Sequence, residues 1–97
     1  MRLMKISGGS MSPTLSDGEY LLSKKPHLLK LGFIYVIDHI DLGVIVKRLC
    51  GQKNNKYLFE GDNLSLSIPS YLIGMVEKER IIGQAICSFG PKGFRRL

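Results

Sequence analysis

Phe33-Ile34-Tyr35-Val36-Ile37-Asp38, a break at His39-Ile40-Asp41-Leu42-Gly43, then Val44-Ile45-Val46-Lys47-Arg48-Leu49: the fold turns on this stretch. Both arms are dense in β-branched and aromatic residues, and the residues between them form a short hairpin connection. The pattern predicts two antiparallel strands. Side chains alternate across a strand, so Lys47 shares a face with Ile45 and Leu49, while Arg48 shares the other with Val44 and Val46. A lysine on an apolar face is costly in its charged form, because burial disfavours the ammonium. Such a lysine can be partly neutral near pH 7 and take a proton from a nearby hydroxyl.

Working outward, residues 3–7 are an apolar-rich lead-in that should stop at Gly8-Gly9, with Ser10 just past the break. A serine there can present its hydroxyl and its backbone N–H outward. Ser12-Pro13 has the order of a cap and a first helical position, which predicts one helical turn over residues 13–16. Asp17-Gly18 turns the chain into a strand over 19–23. Beyond the central hairpin, Gly51-Gln52-Lys53-Asn54-Asn55 reads as a polar turn, 56–60 as a strand, and Gly61-Asp62-Asn63 as its abrupt end. Residues 64–79 read as irregular, 80–89 as a last apolar strand, and 90–97 as a loosely held basic tail. The sum is one domain over residues 1–97: a compact, mainly β, antiparallel fold with one short helical turn after Ser10.

Ninety-seven residues suffice for a single modest core and one site. Eleven glycines favour turns and short strands. The formal charge of +6 would suit nucleic acid, an anionic membrane surface or acidic partners. Yet basic residues come in ones and twos (Lys24-Lys25, Lys47-Arg48, Lys78, Arg80), and only Lys92-Gly93-Phe94-Arg95-Arg96 resembles a cluster. No nucleic-acid partner is therefore expected. Cys50 and Cys87 lack metal-ligand spacing and read as two free, buried thiols, so no metal or cofactor is expected. No window approaches the roughly 18 apolar residues needed to cross a bilayer, and the first ten residues lack the apolar core of a signal peptide. The expected location is cytoplasmic, with unanchored, peripheral contact at a membrane surface as the alternative. Oligomeric state stays open.

Three ordered segments resemble the Ser/Lys peptidases, the superfamily of type I signal peptidases and LexA-like proteins. Gly8-Gly9-Ser10-Met11-Ser12-Pro13-Thr14-Leu15 is similar to the signal peptidase box that holds Ser-Met-x-Pro-Thr-Leu before a Gly-Asp pair, here Gly18-Glu19. Val46-Lys47-Arg48-Leu49 resembles the box bearing the general base. Gly61-Asp62-Asn63-Leu64-Ser65-Leu66-Ser67-Ile68-Pro69-Ser70-Tyr71-Leu72-Ile73-Gly74 fits the Gly-Asp-Asn box without gaps, and Ile82-Gly83-Gln84-Ala85 falls where a Val-Gly-Arg-Ala type strand is expected. Ser10 and Lys47 lie 37 residues apart, which resembles the compact LexA-like members.

By resemblance, Ser10 is the nucleophile, Lys47 the general base and Ser67 a hydroxyl that orients the lysine amine. Each role answers a chemical need. The serine must lose its proton as it attacks a carbonyl, and a neutral lysine within reach accepts it. The oxyanion then needs fixed donors, here the main-chain N–H groups of Ser10 and Gly9. Gly8 stands where many signal peptidases add a serine hydroxyl. Met11 either lines the substrate cleft or fills the core, and Ser67 alternatively bonds its own backbone. Pro69-Ser70-Tyr71 replaces the family's Asp-Ser-Arg run, so a supporting salt bridge is expected to be missing. Glu19 and Phe33 replace acidic turn positions and read as structural.

His27 and His39 are expected to be exposed, and neither has partners for a Ser/His/Asp triad. Asp62 reads as a structural turn carboxylate, Asp38 and Asp41 as solvated turn residues. With nine residues ahead of Ser10, self-cleavage in the LexA-like manner is not expected. What the resemblance implies is a small serine endopeptidase acting on a protein or peptide substrate, cutting after a small residue in a leader or signal-like segment. The proteases that mature nickel-type superoxide dismutase are similar in size and boxes. The alternative is a non-catalytic β domain of the same fold that binds a peptide or protein partner.

Overall fold

A computed structural model describes residues 1–97. Its elements are β1 (Arg2–Lys5), β2 (Tyr20–Lys24), β3 (Ile34–His39), β4 (Gly43–Lys53), β5 (Lys56–Glu60), α1 (Ser70–Ile73), β6 (Val76–Glu77), a 3-10 turn (Lys78–Arg80), β7 (Ile81–Gly90) and β8 (Gly93–Arg96). One sheet holds all eight strands in the order β1-β2-β7-β3-β4-β5-β6, with β8 added alongside β7. Every pairing is antiparallel. The ends of this order do not pair with each other, so the sheet is mainly β but not closed.

The hairpin read from residues 33–49 is the centre of the sheet. Val36 lies opposite Val46 and Tyr35 opposite Lys47. β3 is apolar on both sides because both its faces are covered, which explains a continuous apolar run where a half-buried strand would alternate. Ile34 and Val36 join Ile6, Met11, Leu15, Leu21, Val46 and Ala85 in one cluster. Tyr35 and Ile37 join Leu49, Tyr57, Phe59, Ile73, Val76 and Ile81 in the other.

Several local expectations give way. The polar turn at 51–55 contracts to Asn54-Asn55, with β4 continuing through Lys53. Both asparagines take positive φ, 52° and 62°, as a two-residue hairpin loop of the right twist demands, and asparagine tolerates that region better than most side chains. The turn after Ser10 is one α-type bond, Leu15 N–H to the Met11 carbonyl at 2.8 Å. The four-residue helix α1 lies instead within 64–79, where one turn is too short to leave a periodic signal. Cys87 is buried as expected, but Cys50 is exposed. A bulge between Leu49 and Gly51 interrupts the alternation there.

His39 is buried, not exposed. Its Nδ1 accepts the N–H groups of Asp41 and Leu42 at 3.0 and 3.1 Å. Nε2 must then carry the proton, which it donates to the Ile73 carbonyl at 2.7 Å. The neutral ring thus closes the central hairpin and ties it to α1.

The basic tail is a strand. β8 folds back on β7, pairing Arg96 with Cys87 and Phe94 with Phe89, and Gly93 supplies the positive φ (104°) of the connecting turn. A buried carboxylate holds it there. Glu19 Oε1 accepts the Ser16 N–H at 2.6 Å and Arg95 Nη2 at 2.7 Å. The Ser16 N–H above all, and then Arg95, hold its carboxyl below the usual glutamate range against the opposing effect of burial. The other oxygen, Oε2, is buried without a partner, so removing Arg95 leaves the charge with only one neutral donor. Arg95→Ala is expected to destabilise the fold by about 1–3 kcal/mol, read as a lower urea midpoint at pH 7. The loss should shrink as the pH falls through the lowered pKa of Glu19, where the native carboxylate protonates.

Candidate functional site

Ser10 follows a glycine pair for a local reason. Gly8 sits at φ +84°, a conformation that other residues rarely adopt, and its N–H is fixed by the Asp17 carboxylate at 2.8 Å. The chain thereby leaves β1 and enters two tight turns, Ser12 N–H to the Gly9 carbonyl and Leu15 N–H to the Met11 carbonyl. Met11 points into the core at 2% exposure and also reaches the wall of the site. The N–H groups of Gly9 and Ser10 donate to no carbonyl of the fold.

The Ser10 carbonyl, by contrast, is held twice. It accepts the Asn63 N–H at 2.8 Å and the Ser67 hydroxyl at 2.9 Å. Ser67 Oγ also reaches the Asn63 carbonyl at 2.6 Å, and its single proton is shared between the two acceptors. Ser67 is therefore placed against the backbone of Ser10, and no hydrogen bond joins it to Lys47. Gly61 makes this approach possible. A Cβ there would fall 2.6 Å from the Ser10 carbonyl oxygen and collide with Ser67 Oγ.

Lys47 is 4% exposed, on the face predicted for it. Neither of the two ion pairs of the fold includes it. Burial, with no neighbouring acid to oppose it, holds the amine below the ordinary lysine range. Lys47 and Ser10 line one cavity of about 140 Å3, walled also by Met4, Lys5, Ser7 and Val44. They are not hydrogen-bonded to each other.

The cavity lies between two vacant strand edges. β1 pairs only with β2 and ends the sheet. β5 meets β4 only from Arg48 onward, so Val44 to Lys47 pair with β3 alone. Unpaired N–H and C=O groups of β1 and β4 thus flank the space beside Ser10.

The fold has one ion pair beside Lys47, made by residues outside Pro69-Ser70-Tyr71. Arg48, next to Lys47, donates from Nε and Nη2 to the two oxygens of Asp62 at 2.8 and 2.7 Å. Thr14, four residues past Ser10, donates its hydroxyl to the same carboxylate. The Arg48 bond above all, with that of Thr14, keeps Asp62 below the usual aspartate range although burial opposes this. One carboxylate thereby joins all three sequence boxes. The pairing was legible only as an arginine beside the proposed base and an aspartate in the third box.

Two changes test this construction. Gly61→Ala is expected to displace the Ser10 carbonyl, and Asp62→Ala to cost about 1–3 kcal/mol by stranding Arg48 and Thr14. Equilibrium urea unfolding measures both. In wild type, the contribution of Asp62 should be present above the ordinary aspartate range and disappear as pH falls through its lowered pKa.

Comparison of the chain with curated proteins and with solved structures found no significant match. A family model does match, over residues 1–86, and its description is Peptidase S24-like. That span takes in Ser10, Lys47 and the Gly61-Asp62-Asn63 segment together with the β strands that carry them, and the chain accordingly belongs to the Peptidase S24-like family.

Proposed function

We propose that this chain is a serine endopeptidase with Ser10 as nucleophile and Lys47 as general base, cutting a protein leader or signal-like segment after a small residue. One observation carries the reading: a buried, unpaired lysine and a serine with a free backbone N–H line one cavity between two vacant strand edges. The substrate lies as an extended strand against those edges. As Ser10 Oγ attacks the scissile carbonyl carbon, its proton passes to neutral Lys47. The N–H groups of Ser10 and Gly9 receive the oxyanion. Collapse breaks the C–N bond, and Lys47 returns the proton to the leaving amine. Water, deprotonated by Lys47, then cleaves the acyl-enzyme and regenerates Ser10.

Ser67 acts here as a positioning residue: it steadies the carbonyl of Ser10 and hence the peptide plane beside the nucleophile. The unbonded state of Ser10 and Lys47 is compatible with catalysis, since such contacts often tighten only with substrate bound. The same gap favours a second reading, a domain that binds a peptide without cutting it. No helix is long and apolar enough to cross a membrane.

Mass-spectrometric digestion of leader-like peptides with small residues at the scissile position separates the two readings. Ser10→Ala and Lys47→Ala should each lower kcat by about 10^3-fold or more. Equal cleavage by wild type and Ser10→Ala rules out the dyad. Wild-type kcat/KM should rise with pH as Lys47 loses its proton, with a midpoint below the ordinary lysine value of about 10.4. Lys47 labelled by an amine reagent with the pH profile of a surface lysine would exclude it as the base. Binding of a leader peptide without any cleavage would favour the non-catalytic domain.

A further inference from the structure

The largest cavity of the protein is not at Ser10. About 790 Å3 in volume, it opens at the other end of β1 and is walled by Arg2, Lys24, Lys25 and Lys78, with Leu29 and Ile81 among its apolar residues. The four cations are exposed, and neither ion pair of the fold involves them. Glu79 is the one acidic residue of the wall. The sheet brings these charges together: Arg2 in β1 lies opposite Ser23 in β2, directly before Lys24 and Lys25, and Lys78 arrives from the turn that precedes β7.

The two cavities share one strand. Met4 and Lys5 line the space beside Ser10, and Arg2 lines the cationic cleft, so the vacant edge of β1 runs from one to the other. A strand advances about 3.3 Å per residue. Ser7 and Gly8, which also line the space beside Ser10, stand five and six residues from Arg2, so a substrate paired residue for residue along that edge would carry a residue about five or six positions from its cleaved bond into the cleft.

Resting on the peptidase reading above, we propose that the cleft between Arg2, Lys24, Lys25 and Lys78 is a specificity site for an acidic segment of the substrate, about five or six residues from the scissile bond. Charge complementarity selects the segment, and the apolar floor at Leu29 and Ile81 takes the side chains between the acids. A concave site that takes one wall from the same strand suits a polypeptide better than a flat lipid surface. Exposed cations act through screened Coulomb attraction, so the preference is strongest at low salt.

The test uses fluorogenic peptides that share one scissile bond and carry three glutamates or three glutamines, centred five or six residues before or after it. At low ionic strength, wild type should cleave one glutamate peptide about 10-fold better than its glutamine counterpart, chiefly through KM. That ratio should fall towards one in 0.5 M salt and in Lys24→Glu/Lys25→Glu. Equal kcat/KM for all four peptides overturns the cleft assignment and leaves the peptidase reading standing. If no peptide is cut, the peptidase reading fails by itself. Fluorescence anisotropy with Ser10→Ala then judges the cleft: tighter binding of a glutamate peptide, lost in the charge-reversed variant, supports it, and equal binding overturns it. Retention on phosphatidylserine vesicles that Lys24→Glu/Lys25→Glu abolishes, with no discrimination among the peptides, would assign the cleft to lipid headgroups instead.

Discussion

The loop that begins at Gly61 is pressed against two other parts of the chain at once, and the site depends on that contact. Its backbone passes so close to Ser10 that no side chain fits at position 61. The following residues use the proximity: Asp62 takes Arg48 and Thr14, while Asn63 and Ser67 take the carbonyl of Ser10. A segment without regular structure thereby fixes the positions of the proposed nucleophile and of the strand that carries the proposed base. The carboxylate is partly buried, which strengthens its bonds and makes losing any one of them costly.

This arrangement divides labour between neighbours in the sequence. Lys47 and Arg48 point to opposite sides of β4, and they meet opposite electrostatic conditions. Arg48 finds a carboxylate and forms an ion pair with it. Lys47 finds none, so burial alone acts on its amine. An acid beside Lys47 would stabilise the ammonium and remove the base. The charge of Arg48 and Asp62 is thus kept one residue away from the group that the proposed mechanism needs neutral.

An open sheet is the second condition of the proposed function. Closing β1 onto β4 would satisfy two vacant edges but fill the place where an extended peptide can lie. The fold protects its other exposed regions by different means: β8 covers part of β7, and His39 seals the β3–β4 connection against α1. Edges that remain unpaired beside Ser10 and Lys47 are what the proposed binding of an extended substrate strand requires. Tertiary pairing also leaves four cations unpartnered at the far end of β1, where they extend the same surface.

Sequence alone determined the central hairpin, because β-branched residues on both faces of β3 and a short polar break admit few other arrangements. It also placed Lys47 on an apolar face and Ser10 at a glycine break, since strand alternation and positive φ are local properties. Only the tertiary structure decided what depends on contacts between distant segments. Arg48 and Asp62 are unremarkable until β4 meets the Gly61 loop. Ser67 was expected at the lysine and lies on the carbonyl of Ser10, a difference of direction that no spacing encodes. The tail became a strand because Glu19, buried some seventy residues earlier in the chain, needs Arg95. Alternation and turn chemistry act within a few residues. The pairing of buried charges acts across the fold, and it is satisfied only once the chain has closed on itself.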